Sequence, residues 1–146
     1  MITKLLPEQV SHFWDIIKYA IEQSLPPIVS EHPDKMNRIL SSLLCNKTDC
    51  WVIYEKSDDP SKFEGIMLTR ILYDDSSDTR NLLIYCIYGY ELISNKSWAE
   101  GIKSLFKYAK GKNCNQIIAY SELPHIIKVA KKLGAEAKYT FISFDI

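Results

Sequence analysis

The chain has 146 residues, of which 47% are hydrophobic, and its 18 basic residues are balanced by 18 acidic ones. This length and composition suit one packed domain that needs neither a metal ion nor a disulfide to fold. A neutral chain gives no reason to expect nucleic acid or an anionic membrane as a partner, because both attract strongly basic surfaces.

The cysteines and histidines indicate neither a metal site nor a disulfide framework. Four cysteines and three histidines are present, and their spacings match no zinc-binding pattern. No apolar run is long enough to cross a bilayer, and the first residues lack the apolar segment and cleavage site of a signal peptide. The sequence therefore predicts a cytoplasmic protein with buried, reduced thiols and no bound metal.

Two amphipathic helices are predicted before the first strand. The first runs from Pro7 to Ser24, with a proline at the first helical position and apolar residues at helical spacing. Leu25-Pro26-Pro27 ends it. The second helix is predicted from Pro33 to Cys45, with an apolar stripe of its own.

Three strands with short connections are predicted next. They are Cys50–Lys56, Phe63–Tyr73 and Asn81–Ile93. The polar turns Lys56–Lys62 and Asp74–Arg80 allow an antiparallel meander. The third strand is apolar on both faces, which is typical of a central strand, and Gly89 within it indicates a bulge or a close backbone approach.

A helix with a clear start is predicted after the third strand. Ser97 and Glu100 match the Ser-x-x-Glu capping box, and Gly111 stands where a helix C-cap glycine is expected. A strand joined to the third one through this helix should lie parallel to it, with a right-handed crossover.

The remaining residues predict that strand, a short helix and a terminal strand. These elements are Asn115–Ser121, Pro124–Leu133 ended by Gly134, and the alternating Ala135–Ile146. An exposed edge of the last strand could pair with a second copy of the chain, so a homodimer is possible. The complete order is an α+β plan with one βαβ crossover at its centre.

This order resembles the GCN5-related N-acetyltransferase (GNAT) superfamily over nearly the whole chain, from Pro7 to Ile146. The resemblance implies a single GNAT-like domain, residues 1–146, in which a mixed central sheet is flanked by helices. It also implies acetyl-CoA as co-substrate, a small-molecule or peptide amine as acceptor, and two central parallel strands that diverge to hold the acyl arm.

A pyrophosphate-binding turn carries part of the resemblance. In the superfamily it reads Gln/Arg-x-x-Gly-x-Gly/Ala, and its backbone N–H groups hold the pyrophosphate of acetyl-CoA at a helix N-terminus. The matching stretch here is Lys96-Ser97-Trp98-Ala99-Glu100-Gly101. The resemblance therefore implies that these six residues, and Lys103 on the same helix, bind the cofactor.

The turn matches that pattern in part. Gly101 fits it, Ala99 replaces a glycine, and Lys96 keeps the charge of an arginine without its bidentate fork. Trp98 is bulky where the backbone should approach a ligand. Glu100 adds negative charge, although its side chain could instead fold back into the capping box.

A second stretch of the superfamily is also altered here. It reads approximately Asn-x-x-Ala-x-x-x-Tyr-x-x-x-Gly-Phe, and its Tyr serves as the general acid toward the CoA thiolate. In "LPHIIKVAKKLGAE", Leu123, Ala130 and Ala135 stand in the Asn, Tyr and Phe positions. Ala130 cannot donate a proton, so the acid must be another residue, or the thiolate must leave unassisted.

Glu91 and Tyr120 are the candidate catalytic residues. Acetylation of an amine needs a base in reach of the amine and a donor for the developing oxyanion. Glu91 follows Gly89 near the expected slot; alternatively it is a solvated carboxylate at a strand end. Tyr120, at the end of the fourth strand, could replace the missing phenol.

Tyr88 and Tyr90 are the candidate substrate-binding residues, because they share one strand face close to the same slot. The alternative is that both are large core or interface residues. Glu64 and Asp74 are weaker candidates for the base, and they fit a strand end and a turn equally well.

Two functions follow from the resemblance. The first is an N-acetyltransferase that moves an acetyl group from acetyl-CoA to an amine. The second is a catalytically inactive protein of the same fold that serves as a binding or interaction module, which the altered positions favour. A nucleic-acid-binding module is disfavoured by the neutral charge.

Overall fold

The computed structural model describes residues 1–54 and 63–146. The strands are β1 (Ile2–Lys4), β2 (Thr48–Ile53), β3 (Gly65–Asp74), β4 (Thr79–Gly89) and β5 (Gln116–Ala119). The helices are α1 (Pro7–His12), α2 (Trp14–Glu22), α3 (Lys35–Leu44), α4 (Asn95–Gly111) and α5 (Pro124–Lys132).

The strands form one sheet in the order β1-β2-β3-β4-β5. The pairs β1–β2, β2–β3 and β3–β4 are antiparallel, whereas β4 and β5 are parallel and are joined through α4. The predicted meander and the predicted parallel crossover are therefore both confirmed.

The two faces of the sheet are covered by different helices. Ile17 of α2 and Leu43 of α3 are buried on one face, together with Leu68 of β3. On the other face, Leu105 of α4 is buried together with Leu82 of β4. Burial of side chains of this size stabilises the fold by roughly 1.5–3 kcal/mol each.

The N-terminal region differs from the prediction in two ways. Residues 7–24 form two helices rather than one, because the backbone leaves helical geometry at Phe13 (φ −100°, ψ 16°), whose ring packs edge-on against Phe63 at 5.3 Å. β1 was not predicted, since a strand of three residues is too short to show alternation.

The predicted start and end of α4 were wrong by a few residues. Its N-cap is Ser94, whose side chain accepts a hydrogen bond from the Ser97 N–H, so the capping box does not begin at Ser97. Gly111 is the last helical residue rather than the cap, and Asn113 takes the left-handed conformation (φ 58°). Asparagine tolerates that conformation better than most residues.

The predicted terminal strand is absent from the structure. Residues 135–146 contain no strand and are all exposed; Tyr139 and Phe144 are 95% and 88% exposed. An alternating apolar pattern becomes a strand only where a neighbouring edge accepts its hydrogen bonds. The short helix before it is confirmed as α5, and Gly134 (φ 97°) follows it as predicted.

The predicted buried thiols are found at two of the four cysteines. All four are free; Cys50 and Cys86 are buried, Cys114 is half-buried and Cys45 is exposed. The predicted turn Lys56–Lys62 lies outside the described residues. Within the described ranges, no helix combines the length and apolar composition needed to cross a bilayer.

Candidate functional site

β4 pairs with β5 over only part of its length. Residues 81–84 of β4 pair with residues 116–119 of β5, whereas β4 continues to Gly89. We refer to residues 79–84 as the closed half of β4 and to residues 85–89 as its open half. The open half remains paired with β3 on its other side.

A β-bulge separates the two halves. Leu68 of β3 pairs with Cys86, and the next β3 residue, Thr69, pairs with Ile84, so Tyr85 is the extra residue on β4. A bulge bends its strand and increases the local twist. The bulge follows the last β4–β5 pair, Ile84 with Ala119, and β5 ends at Ala119, so the open half of β4 extends beyond the end of β5.

Glycines let the chain turn sharply at the top of β4. Gly65 pairs with Gly89, and a Cβ at Gly65 would lie 2.8 Å from the Tyr88 carbonyl oxygen. The buried Ile93 side chain packs over both glycines. A Cβ at Gly89 would lie 2.9 Å from the Glu91 carbonyl oxygen, so the close approach predicted at Gly89 is confirmed. The packing of Ile93 places the start of α4 beside the open half.

The first turn of α4 presents backbone donors. Ser94 Oγ accepts from the Ser97 N–H at 3.1 Å. Since the first N–H groups of a helix have no intrahelical acceptor, those of Asn95 and Lys96 point out of the helix end. With the positive end of the helix dipole, they can receive an anion.

A chain of hydroxyl hydrogen bonds runs behind this turn. The Ser94 hydroxyl donates to Ser97 Oγ at 3.0 Å, and the Ser97 hydroxyl donates to Glu64 Oε2 at 3.4 Å. The Glu64 carbonyl accepts from the Tyr90 N–H at 2.8 Å. Glu64 thus connects the end of β4 to the start of α4, and its carboxylate contacts a buried serine.

The predicted cofactor-binding stretch lies mostly inside α4. The Trp98 N–H donates to the Ser94 carbonyl oxygen at 3.0 Å. Ala99, Glu100 and Gly101 lie beyond the first turn, where helix geometry pairs the backbone N–H groups within the helix. Of the stretch, Lys96 is the residue whose N–H stands at the helix end.

The side chains of this stretch face in different directions. Glu100 Oε2 lies 3.8 Å from the N-terminal ammonium of Met1, and a Cβ at Gly101 would lie 4.0 Å from Ile2 Cδ1. Trp98 is half-buried, and the Lys96 and Lys103 side chains are exposed. The lysines are thus positioned to attract an anion at long range.

Tyr88 and Tyr90 are brought together with Tyr19 of α2. The Tyr88 ring packs edge-on against Tyr90 at 5.1 Å and against Tyr19 at 5.8 Å. The Tyr90 hydroxyl donates to the Ile16 carbonyl oxygen at 2.8 Å, which ties α2 to the end of β4. Tyr90 therefore has a structural role, whereas Tyr88 borders the open half.

The phenols of Tyr88 and Tyr90 stay protonated at neutral pH, because the pKa of each is raised. Burial, helped by Tyr88 and buried Cys50, raises the pKa of Tyr90 to about 12. A hydrogen bond to Tyr19 raises the pKa of Tyr88. Burial also raises the pKa of the Cys86 thiol to about 11, so this thiol is no nucleophile near pH 7.

The two predicted catalytic residues lie in the segments that follow the two parallel strands, β4 and β5. Glu91 is exposed in the segment after β4, and its N–H faces the Glu64 carbonyl oxygen at 3.5 Å. Tyr120 follows β5, is 40% exposed and packs edge-on against Phe141 at 5.5 Å. No contact between Glu91 and Tyr120 is observed among the described residues.

Sequence reasoning missed the residues that shape the site. The N-cap role of Ser94 was not predicted, because Ser97, three residues later, fits the capping-box pattern better. The available signal for this role was the position of Ser94 directly after the apolar residue Ile93. The bulge at Tyr85 had no local signal in a uniformly apolar strand. Across residues 1–54 and 63–146, no cluster of His, Cys, Asp and Glu could hold a metal ion.

No family model and no curated protein sequence matches the chain. Solved structures do. One is an aminoglycoside acetyltransferase from an uncultured soil metagenomic sample, in complex with sisomicin, which is 14% identical to this chain with a TM-score of 0.72. The match covers 100% of this chain and 94% of the acetyltransferase. Another is a predicted acetyltransferase with acetyl-CoA, from Clostridium acetobutylicum, which is 16% identical with a TM-score of 0.69. This match covers 99% of our chain and 95% of the Clostridium protein.

A third match is glucosamine-6-phosphate N-acetyltransferase from Arabidopsis thaliana, 14% identical with a TM-score of 0.66, covering 99% of this chain and 97% of its own. At these identities the likeness concerns the fold. The predicted fold class, a mixed sheet of the acyl-CoA N-acyltransferase type flanked by helices, is confirmed.

Proposed function

We propose that this chain, which has the fold of the GCN5-related N-acetyltransferase (GNAT) superfamily, is a divergent member that acts as one domain over residues 1–146. It transfers an acetyl group from acetyl-CoA to an amine of a small molecule or peptide. The observation that carries the proposal is that the open half of β4 extends beyond the end of β5, with the N-terminus of α4 close to it.

The α4 N-terminus suits the pyrophosphate of acetyl-CoA. The N–H groups of Asn95 and Lys96 would donate to its oxygens, with the exposed Lys96 and Lys103 side chains attracting the anion. The proposed contacts with the pyrophosphate therefore involve the first residues of the predicted stretch Lys96–Gly101, together with Asn95, which precedes it. The acyl arm would then run along the open half, toward the bulge at Tyr85.

Acetyl transfer requires the amine to lose a proton and the C–S bond of the thioester to be replaced by a C–N bond. The neutral amine attacks the thioester carbonyl, a C–N bond forms, the C–S bond breaks, and CoA leaves as thiolate. We assign Glu91 as the base that takes the amine proton, directly or through water, and Tyr120 as the acid toward the thiolate. Tyr88 borders the acceptor side.

Glu91→Gln is expected to lower kcat by about 10²–10⁴-fold, the usual contribution of a positioned base, with acetyl-CoA affinity unchanged. Steady-state acetylation across pH checks this. An unchanged rate removes Glu91 as the base, and the same assay on Tyr120→Phe tests the acid.

Binding of acetyl-CoA is the first test of the proposal. A ligand that binds only the folded state stabilises it by about 2.7 kcal/mol at one hundred times its Kd. We therefore expect acetyl-CoA to raise the Tm by several degrees in a thermal melt. No shift at millimolar acetyl-CoA would leave the inactive binding module as the function.

Asn95→Pro locates the pyrophosphate. Proline is favoured at the first helical position, and Ser94 (φ −64°, ψ 153°) already has the backbone that precedes proline. The variant should fold normally yet lose one N–H donor to a charged group, which weakens acetyl-CoA binding by about ten-fold or more. Asn95→Ala keeps the N–H and is the matched control; equal affinities for the two variants contradict the assignment.

The four free thiols support a reducing compartment, and we propose that the protein is cytoplasmic.

A further inference from the structure

A groove on the α3 face of the sheet is lined by basic side chains. His32, Lys35 and Arg38 reach it from α3 and the segment before α3, and Arg70 reaches it from β3. Its volume is about 250 Å³, several times the ~30 Å³ share of one water molecule. Among the described residues, no carboxylate lines it. We call it the basic groove.

Much of this positive charge is not neutralised. Lys35 Nζ lies 3.2 Å from both carboxylate oxygens of Glu31, whose side chain is 96% exposed and does not line the groove. In the part of the chain that the structure describes, Arg38 and Arg70 form no ion pair. Although the chain as a whole is neutral, the basic groove thus contains two guanidinium groups, those of Arg38 and Arg70, that form no ion pair with the described residues.

The groove also offers directed donors. His32 Nδ1 accepts from the Asp34 N–H at 3.1 Å, so a neutral His32 ring carries its proton on Nε2 and can donate from there. At the floor, the Ser42 and Thr48 hydroxyls hydrogen-bond each other at 2.7 Å. Arginine forks and a ring N–H are groups that match the oxygens of phosphate and carboxylate.

The groove meets the candidate active site at Tyr85. This bulged residue lines the groove, and it is also the first β4 residue after the last pair with β5. Arg70 lies close enough to Tyr85 to oppose the rise in the pKa of its phenol that burial causes. A molecule anchored in the groove would therefore extend toward the open half of β4, along which the acyl arm is proposed to run.

We infer that the acceptor carries an anionic group, a phosphate or a carboxylate, in addition to its reacting amine, and that the basic groove binds this anionic group. The identification of the bound molecule as the acceptor rests on the proposed acetyltransferase function. The binding of the anion itself does not depend on acetyl-CoA. Arg38 and Arg70 hold the anion, and His32 donates to it.

Anion binding by the whole chain without acetyl-CoA is the direct test. Inorganic phosphate and acetate are titrated at low ionic strength and followed by NMR or calorimetry. We expect saturable binding of at least one of them, with the tighter of the two identifying the anion. Arg38→Gln and Arg70→Gln should each weaken that binding by about ten-fold, the loss of one charge-assisted contact.

Lys112→Gln is the matched control. Lys112 lines a separate cavity, of about 220 Å³, which it shares with Lys4, Lys47 and Arg70. Its substitution removes one positive charge from the same region without touching the groove, so anion binding should persist. Absence of saturable binding, or equal losses in Arg38→Gln and Lys112→Gln, overturns the inference.

Acetyl-CoA separates this inference from the proposed function. If acetyl-CoA displaces the phosphate whose binding Arg38→Gln weakens, the groove holds a CoA phosphate and the inference is wrong; displacement of phosphate that Arg38→Gln does not affect concerns the α4 N-terminus and leaves the groove without an anion, which also overturns the inference. If acetyl-CoA binds while neither anion does, the transferase stands and the inference falls. If the anions bind and acetyl-CoA does not, the groove stands and the transferase falls.

Discussion

The two halves of β4 belong to one strand but do different work. In the closed half, Leu82 and Leu83 are 0% exposed and sit between β3 and β5. In the open half, Ile87 and Tyr88 are half-buried and Gly89 is exposed. The most deeply buried side chains of β4 therefore lie where the strand has a neighbour on both sides, whereas the proposed site occupies the half that is paired with β3 alone.

The largest expected effect tests that division directly. Leu82→Ala removes a fully buried side chain that packs under α4, and we expect it to lower the free energy of unfolding by about 2–5 kcal/mol. Ile87→Ala, at a half-buried position on the same face, should cost clearly less. Chemical denaturation measures both; equal losses would show that the open half is packed as firmly as the closed half.

A second prediction concerns the glycine pair that shapes the top of the open half. Gly65→Ala would place a Cβ 2.8 Å from the backbone oxygen of Tyr88, and the backbone can yield only by shifting the strand. We expect a loss of about 1–3 kcal/mol in the free energy of unfolding.

Gly111→Ala is its control. No atom lies within 4 Å of a Cβ at Gly111, and alanine is favoured over glycine in a helix by up to about 1 kcal/mol. The two substitutions should therefore have opposite signs in the same denaturation experiment. Two losses of equal size would mean that the contact at Gly65 is relieved by a small movement.

The pairing of the closed half with β5 could be predicted from sequence, whereas the bulge at which the open half begins could not. An apolar run long enough for a central strand, followed by an amphipathic helix and another strand, predicts a parallel pair by general rules of chain geometry. Those rules need only local periodicity. They correctly place β4 beside β5, with α4 as the connection.

The site depends on contacts between residues far apart in sequence. Ser94 and Ser97 are each a plausible N-cap, and α4 uses Ser94, which directly follows Ile93, the residue that packs over Gly65 and Gly89. The bulge at Tyr85 is a property of the register with β3. Neither fact can be read from a window of neighbouring residues.

The smallest expected effect concerns the attachment of α2 to the open half. Tyr90→Phe removes the hydrogen bond to the Ile16 carbonyl oxygen, a net cost of about 0.5–1.5 kcal/mol near neutral pH. The pH dependence is more informative. The folded pKa of about 12 exceeds the ordinary value of 10.0, so above pH 10 the unfolded state loses the proton first.

The Tyr90 contribution is therefore fully present below about pH 10 and is lost progressively as the pH rises toward 12. Unfolding free energies measured from neutral to alkaline pH should fall less steeply in Tyr90→Phe than in the wild type. Tyr139→Phe, at a position 95% exposed, should follow the wild-type curve. Parallel curves for wild type and Tyr90→Phe would mean that this phenol is solvated in the folded protein, and α2 would then be free to move away from the open half of β4.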